Sequence, residues 1–143
     1  PYFVVGKHLT SYGDFLKDKY RDKGIIFLGG IFKKVDLDNI RYYSTCYLHG
    51  HSVGGTNPAL LEAMAAQTFI IAHDNQFNKS VVKNNAFYVD CANKVTELLK
   101  DKEIIKNKKT FIKNNLKRID EVYSWLIVIN QYECYFKRIL DNK

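Results

Sequence analysis

The chain has 143 residues, of which 46% are apolar and 26% charged, and a formal net charge of +7. That length suits one compact domain with a real core, and the composition excludes a disordered chain. The positive balance draws the protein to anions, which leaves a nucleotide diphosphate, an anionic membrane face or nucleic acid as partner classes.

In chain order, short apolar runs predict strands at 2–5, 25–28, 46–49, 69–72 and 86–89. Each is continuous rather than alternating, as strands covered on both faces are. Helical signals lie between the first four. Thr10 or Ser11 caps a helix carrying Phe15 and Leu16, and Asp36 or Asp38 caps one carrying Ile40 and Tyr43. Asn57-Pro58 opens the clearest, with asparagine as N-cap and proline as first helical residue. The crossover after His73 is shorter, with a turn or two of helix around 80–83. From about Asn93 the pattern is helical: Val95, Leu98, Ile104, Ile105, Phe111 and Ile112, then an amphipathic stretch from Val122 to Leu140. The fold class is therefore α/β, a Rossmann-like parallel sheet with flanking helices over 1–92, followed by a helical segment over 93–143.

Lys100, Lys102, Lys106, Lys108, Lys109, Lys113, Lys117 and Arg118 hold much of the charge, and read equally as an anion-binding face and as a solvated helix face. Aromatic residues do not interleave with them as a base-stacking platform requires, so no nucleic-acid partner is expected. Cys46, Cys91 and Cys134 are far apart with no CxxC, which points to reduced thiols rather than a zinc or redox site. The longest apolar runs, such as 125–129, fall short of the roughly 20 residues that span a bilayer. No signal-peptide pattern precedes the opening strand.

In parallel α/β sheets ligands bind outside the carboxyl ends of the strands. Here those ends carry Gly6, Gly29-Gly30, His49-Gly50-His51 and His73-Asp74-Asn75. Gly54-Gly55-Thr56-Asn57-Pro58 leads into a capped helix, and free amides with the helix dipole favour anions there. Glu62, one turn into that helix among Leu60, Leu61 and Ala63, can accept two hydroxyl hydrogen bonds of the kind a ribose offers. His49 and His51 can touch a diphosphate or a sugar; His51, nearer the loop, is the candidate, whereas His49 reads as well as a partner of backbone groups in the turn. Neither has a carboxylate or cysteine at metal-ligand spacing. Asp36-Leu37-Asp38 matches a DxD pattern but reads as helix capping, and no metal is expected.

The run VGGTNPALLEAMA resembles the donor-site segment of retaining GT-B glycosyltransferases of family 4, which read EGFGLPxLEAMA. YLHGHSVGGTNPALLEAMA with AHDNQFNKSV is similar to a bacterial subgroup of rhamnosyltransferases and other capsule or lipopolysaccharide glycosyltransferases, and the likeness extends to IIFLGGIF, LDNIRYYS, NNAFYV and YSWLIVINQYECYF. The resemblance implies that Glu62, matching the second glutamate of the family's pair, binds the ribose of a nucleotide. The first glutamate falls on Gly54, which leaves the sugar hydroxyls or the diphosphate to amides around Gly55, Thr56 and Asn57. Ser80 stands where relatives often have glutamate. Lys79, Lys83 and Gly30 are further candidates for phosphate or sugar contact.

The resemblance further implies retaining transfer of a hexose or deoxyhexose from a nucleotide-diphosphate sugar to a saccharide or polyprenyl-linked acceptor, without a metal or other cofactor. It places the start of this sequence at the second strand of the C-terminal GT-B domain. The first strand with its basic phosphate clamp, and the N-terminal domain that holds the acceptor, are then expected outside it. No catalytic residue is assigned, and this stretch alone is expected to bind donor without turnover. The expected location is cytoplasmic, with peripheral contact at the inner membrane face through the basic, amphipathic helices. The rival is a non-catalytic nucleotide or sugar-phosphate binding module.

Overall fold

The computed structural model describes residues 1–101 and 103–141; Lys102 and the side chain of Ile105, both singled out above, lie outside the described residues. Two compact units are present, residues 1–39 and 40–143. The five expected strands form, but in two parallel sheets, one in each unit, rather than in one. Within each sheet, neighbouring strands are consecutive in the chain and joined through one helix, the crossover that a parallel pair needs.

In the first unit, β1 (Tyr2–Val5) pairs in parallel with β2 (Ile25–Gly29) through α1 (Ser11–Lys19). Thr10 caps α1 as expected, its hydroxyl accepting from the Gly13 amide at 3.0 Å. Both strands are only half covered, with Phe3 and Ile26 exposed, in contrast to the two-sided burial read from the sequence. The next helix, α2 (Lys34–Tyr43), starts earlier than an aspartate cap would allow. The Lys33 carbonyl accepts from Asp36 and Leu37, while Asp36 and Asp38 pair with Lys33 and Lys34 a turn back. The two aspartates of the DxD pattern are thus not the caps expected of them but form ion pairs along the helix.

The second unit is built on β3 (Tyr47–His49), β4 (Ile70–His73) and β5 (Phe87–Val89), parallel and in that order. Their crossovers are α3 (Pro58–Ala65) and α4 (Gln76–Val82). Alternation sends Ile70 and Ala72 of β4 to one face, against Leu60, Met64, Val81 and Val82. Phe69 and Ile71 go to the other, with Val89, Ile104 and Phe111. Burial on both sides is why this run is continuously apolar. Truncating Leu60 or Met64 here costs about 2–5 kcal/mol. Helix α4 begins several residues before 80, because Asn75 accepts from the Asn78 amide at 2.8 Å and starts it there.

Helices α5 (Ala92–Lys100) and α6 (Ile104–Arg118) supply Val95, Leu98, Phe111 and Ile112 to the second core, so the helical segment after residue 92 shares a unit with β3–β5. Two basic residues of α6 donate to backbone carbonyls elsewhere in the unit, and Lys106 and Lys117 pair with Glu103 and Glu121. Arg118 donates to the carbonyls of Val81 (2.6 Å) and Ser80 (3.1 Å) at the end of α4, and Lys108 to that of Thr45. A π-helical turn (Ile119–Tyr123) and an extended Ser124 interrupt the last stretch before α7 (Trp125–Asp141), whose Trp125, Leu126 and Leu140 are exposed. No described helix is long and apolar enough to cross a membrane.

Candidate functional site

The carboxyl ends of β3, β4 and β5 lie together, since the three strands are parallel and in register. From β3, residues 50–57 form the loop into α3. Asn57 caps that helix as expected, its Oδ1 accepting from the Ala59 amide at 2.9 Å. The cap also changes the anion argument. Pro58 has no amide hydrogen, Ala59's is taken by Asn57 Oδ1, and the Leu60 amide bonds the Asn57 carbonyl at 3.0 Å. The first turn of the helix therefore has little left to offer a ligand. Donors instead come from the loop: the amides of Gly54, Gly55 and Thr56 have no backbone partner among the described residues, and all three residues are exposed.

Gly54 has φ +124°, a conformation that side-chain-bearing residues rarely adopt. The position where the family pattern has its first glutamate is thus shaped here for glycine. A Cβ on Gly55 would meet nothing within 4 Å, so Gly55 is not demanded by the fold.

Glu62 is not a lone carboxylate. Its Oε2 accepts from Arg41 Nη2 at 2.7 Å, and the Arg41 side chain is 8% exposed against 44% for Glu62. The guanidinium lies over the Tyr47 ring, 6.0 Å from its centre. Sequence reading missed Arg41, which sits on α2, 21 positions away. Its signal was faint: an arginine within LDNIRYYS, in the apolar surroundings that a core-facing helix position has.

At the end of β3 the His49 ring is buried, 1% exposed, and stacks on the exposed His51 ring with centroids 4.7 Å apart. Tyr47 Oη lies 3.3 Å from His49 Nδ1, and Nε2 has no hydrogen-bond partner among the described residues. The structure does not bear out His49 as a partner of backbone groups in the turn. Burial, and then the nearby His51, lower its pKa to about 4, so the ring is neutral at pH 7.

Two asparagines hold this loop. The His51 carbonyl accepts from Asn75 Nδ2 at 3.0 Å and from Asn78 Nδ2 at 3.1 Å; Asn78 Nδ2 also donates to the His73 carbonyl at 2.9 Å. Asn78 is 3% exposed. It ties the chain leaving β3 to the chain leaving β4, and a polar residue buried on a helix is the kind of signal that went unread in HDNQFNK.

Of the remaining candidates, Lys79 stands one turn into α4, ion-paired with Asp74 and lying over the Tyr88 ring. Lys83 is the C-cap of α4, at the opposite end from the strand ends, with its carbonyl accepting from Tyr88 Oη. Burial, with Asp74 nearby, pushes the Tyr88 hydroxyl up to about 12. Gly30 belongs to the first unit, and a Cβ there would lie 3.0 Å from the ring of Phe32, an exposed side chain free to give way. Ser80 bonds the Phe77 carbonyl. Beside the loop lies a cleft of about 250 Å³ lined by Leu48, His49, Gly50, Ile71, His73, Val89, Asp90 and neighbouring α5 residues. The structure thus gathers His51, Gly54, Gly55, Thr56, Asn57 and Glu62 on one loop and the helix that follows it.

A crystal structure of a GtfA/B complex superposes on 87% of this chain with a TM-score of 0.56 and 17% identity. That likeness shows a shared α/β fold of parallel strands flanked by helices. The chain spans 28% of the length of the chain it matches. No family model and no curated protein matches the sequence.

Proposed function

We propose that this chain is the donor-binding part of a retaining glycosyltransferase that moves a hexose or deoxyhexose from a nucleotide-diphosphate sugar to a saccharide or polyprenyl-linked acceptor in surface polysaccharide synthesis. The observation that carries the reading is the β3–α3 loop. It offers exposed amides at Gly54, Gly55 and Thr56, followed one turn later by the half-exposed carboxylate of Glu62. Amides suit phosphate oxygens and a carboxylate suits vicinal hydroxyls, so one short segment carries acceptors and donors for both parts of a nucleotide. Preorganised donors of this kind also stabilise a departing diphosphate. The cleft of about 250 Å³ beside the loop is roomy enough for a flat heterocycle against Leu48, Ile71 and Val89. The acceptor is to be held by a further domain, and the lysines of α6 with the apolar α7 form the surface for that domain or for the inner face of a membrane.

One observation favours the rival, a non-catalytic nucleotide or sugar-phosphate module: residue 54 is a glycine without a carboxylate, in a conformation that strains any side chain. Calorimetric titration with UDP-, GDP- and dTDP-sugars, and with the bare diphosphates, tests both. Binding of one nucleotide sugar more tightly than its diphosphate supports donor recognition. Equal affinities support the rival, and no binding of any sinks both.

A further inference from the structure

Resting on the donor-site reading, we infer that Arg41 is a positioning residue for ribose recognition: from the buried side it holds one oxygen of Glu62, so that the carboxylate presents its remaining acceptor capacity to vicinal hydroxyls.

The geometry is asymmetric in the way such a role needs. Arg41 is inside the unit and Glu62 is at its surface, with 2.7 Å between Nη2 and Oε2. A glutamate on an exposed helix turn samples several rotamers, and a ligand that uses it must first order it, at about 0.5–1.5 kcal/mol per side chain. A charge-assisted bond from a buried, planar guanidinium does that ordering before any ligand arrives. Arg41 is in turn fixed by the Tyr47 ring beneath it, and the Tyr47 hydroxyl meets His49 at the strand end. Glu62 is therefore tied to β3 through side chains and not only through its own helix. Stability alone is a weak account of the pair, because a buried arginine gains little over an apolar side chain of the same volume. The chemical class served is a cis-diol next to a diphosphate.

The test compares this chain with Arg41→Met, Arg41→Lys and Glu62→Gln. It measures the dissociation constants of a nucleoside diphosphate and of its 2′-deoxy counterpart, with thermal unfolding as a control. The unmodified chain should prefer the ribonucleotide by about tenfold or more, as one hydrogen bond to a charged group implies. Arg41→Met should bring that ratio close to one while the deoxynucleotide still binds within a few-fold of its original strength. Arg41→Lys, which keeps the charge but not the planar fork, should give an intermediate ratio and serves alone if the methionine variant does not fold. An unchanged ratio in the arginine variants, with the ratio lost in Glu62→Gln, overturns the inference and leaves the donor site standing. An unchanged ratio in Glu62→Gln, or no nucleotide binding by the unmodified chain, removes the donor-site assignment of Glu62 and the inference with it.

Discussion

His49 and His51 stack face to face at the end of β3, with ring planes 21° apart, and only one of the two rings reaches solvent. The buried one has the lowered pKa of about 4, whereas an unfolded chain titrates near 6.5. Between those values the unfolded state binds more protons than the folded one, so folding stability rises with pH across the window. The contribution is fully present above about pH 6.5 and is lost as the pH falls through 4. Its size is on the order of 3 kcal/mol. Urea melts at half-unit steps from pH 4 to 8 should show this slope in the unmodified chain and a flatter one in His49→Gln. Parallel curves for the two would remove His49 as its source.

The glycine pair makes a second prediction, because its members differ. Gly54→Ala forces a side chain into φ +124° and should cost about 1–3 kcal/mol. Gly55→Ala meets open space and should leave the melting temperature unchanged within a degree or two. If a phosphate sits against this backbone, the added methyl at residue 55 should still weaken nucleotide binding several-fold. A normal melting temperature with normal affinity would move the ligand off the loop.

How much of this was legible in the sequence depends on the range of the interaction. Local signals carried well. Asn57-Pro58 and Thr10 mark the caps the structure uses, and the apolar runs fall within a residue or so of the strands. The Gly54-Gly55 entry and Glu62 likewise sit on one loop and helix, as their spacing implied. What stayed hidden depends on residues far apart in the chain meeting in space. Arg41 has no neighbour in sequence that hints at Glu62, and Asn78 reaches 27 positions back to the His51 carbonyl. Division of the strands into two sheets was hidden too, because an apolar run does not say which other run it pairs with. Lys83, a candidate for phosphate contact, falls at the far end of α4 because Asn75 starts the helix earlier than its sequence suggests.

Asn78 makes the third prediction, with a sign that separates two substitutions. Its amide nitrogen donates to two carbonyls in a buried setting. Asn78→Ala leaves both without that donor and should cost about 2–3 kcal/mol. Asn78→Asp puts a carboxylate where the amide donor stood, facing the same two carbonyls, and should cost more at pH 7. Part of the aspartate penalty should be recovered at low pH, where a protonated carboxyl donates one bond. Chemical denaturation of the two variants at pH 5 and pH 7 checks the order; alanine costing more than aspartate at both would contradict the contact.

Glu62→Ala removes the carboxylate offered to the hydroxyls of a ribose, and nucleotide binding should fall with it. Its bond to Arg41 predicts a stability cost as well. Removing the carboxylate leaves a guanidinium with 8% exposure facing the gap. Breaking a fully buried pair costs about 3–5 kcal/mol, and the partial exposure of Glu62 reduces this to about 1–3 kcal/mol, since solvent already screens one partner. Glu62→Gln keeps an acceptor for Arg41 and should lose less than half of that. The double variant Arg41→Met, Glu62→Ala removes the guanidinium as well and should cost less than the two single losses added together. Equilibrium unfolding of the four proteins gives the coupling free energy directly, and a value within about 0.3 kcal/mol of zero would mean the pair does not act as a unit.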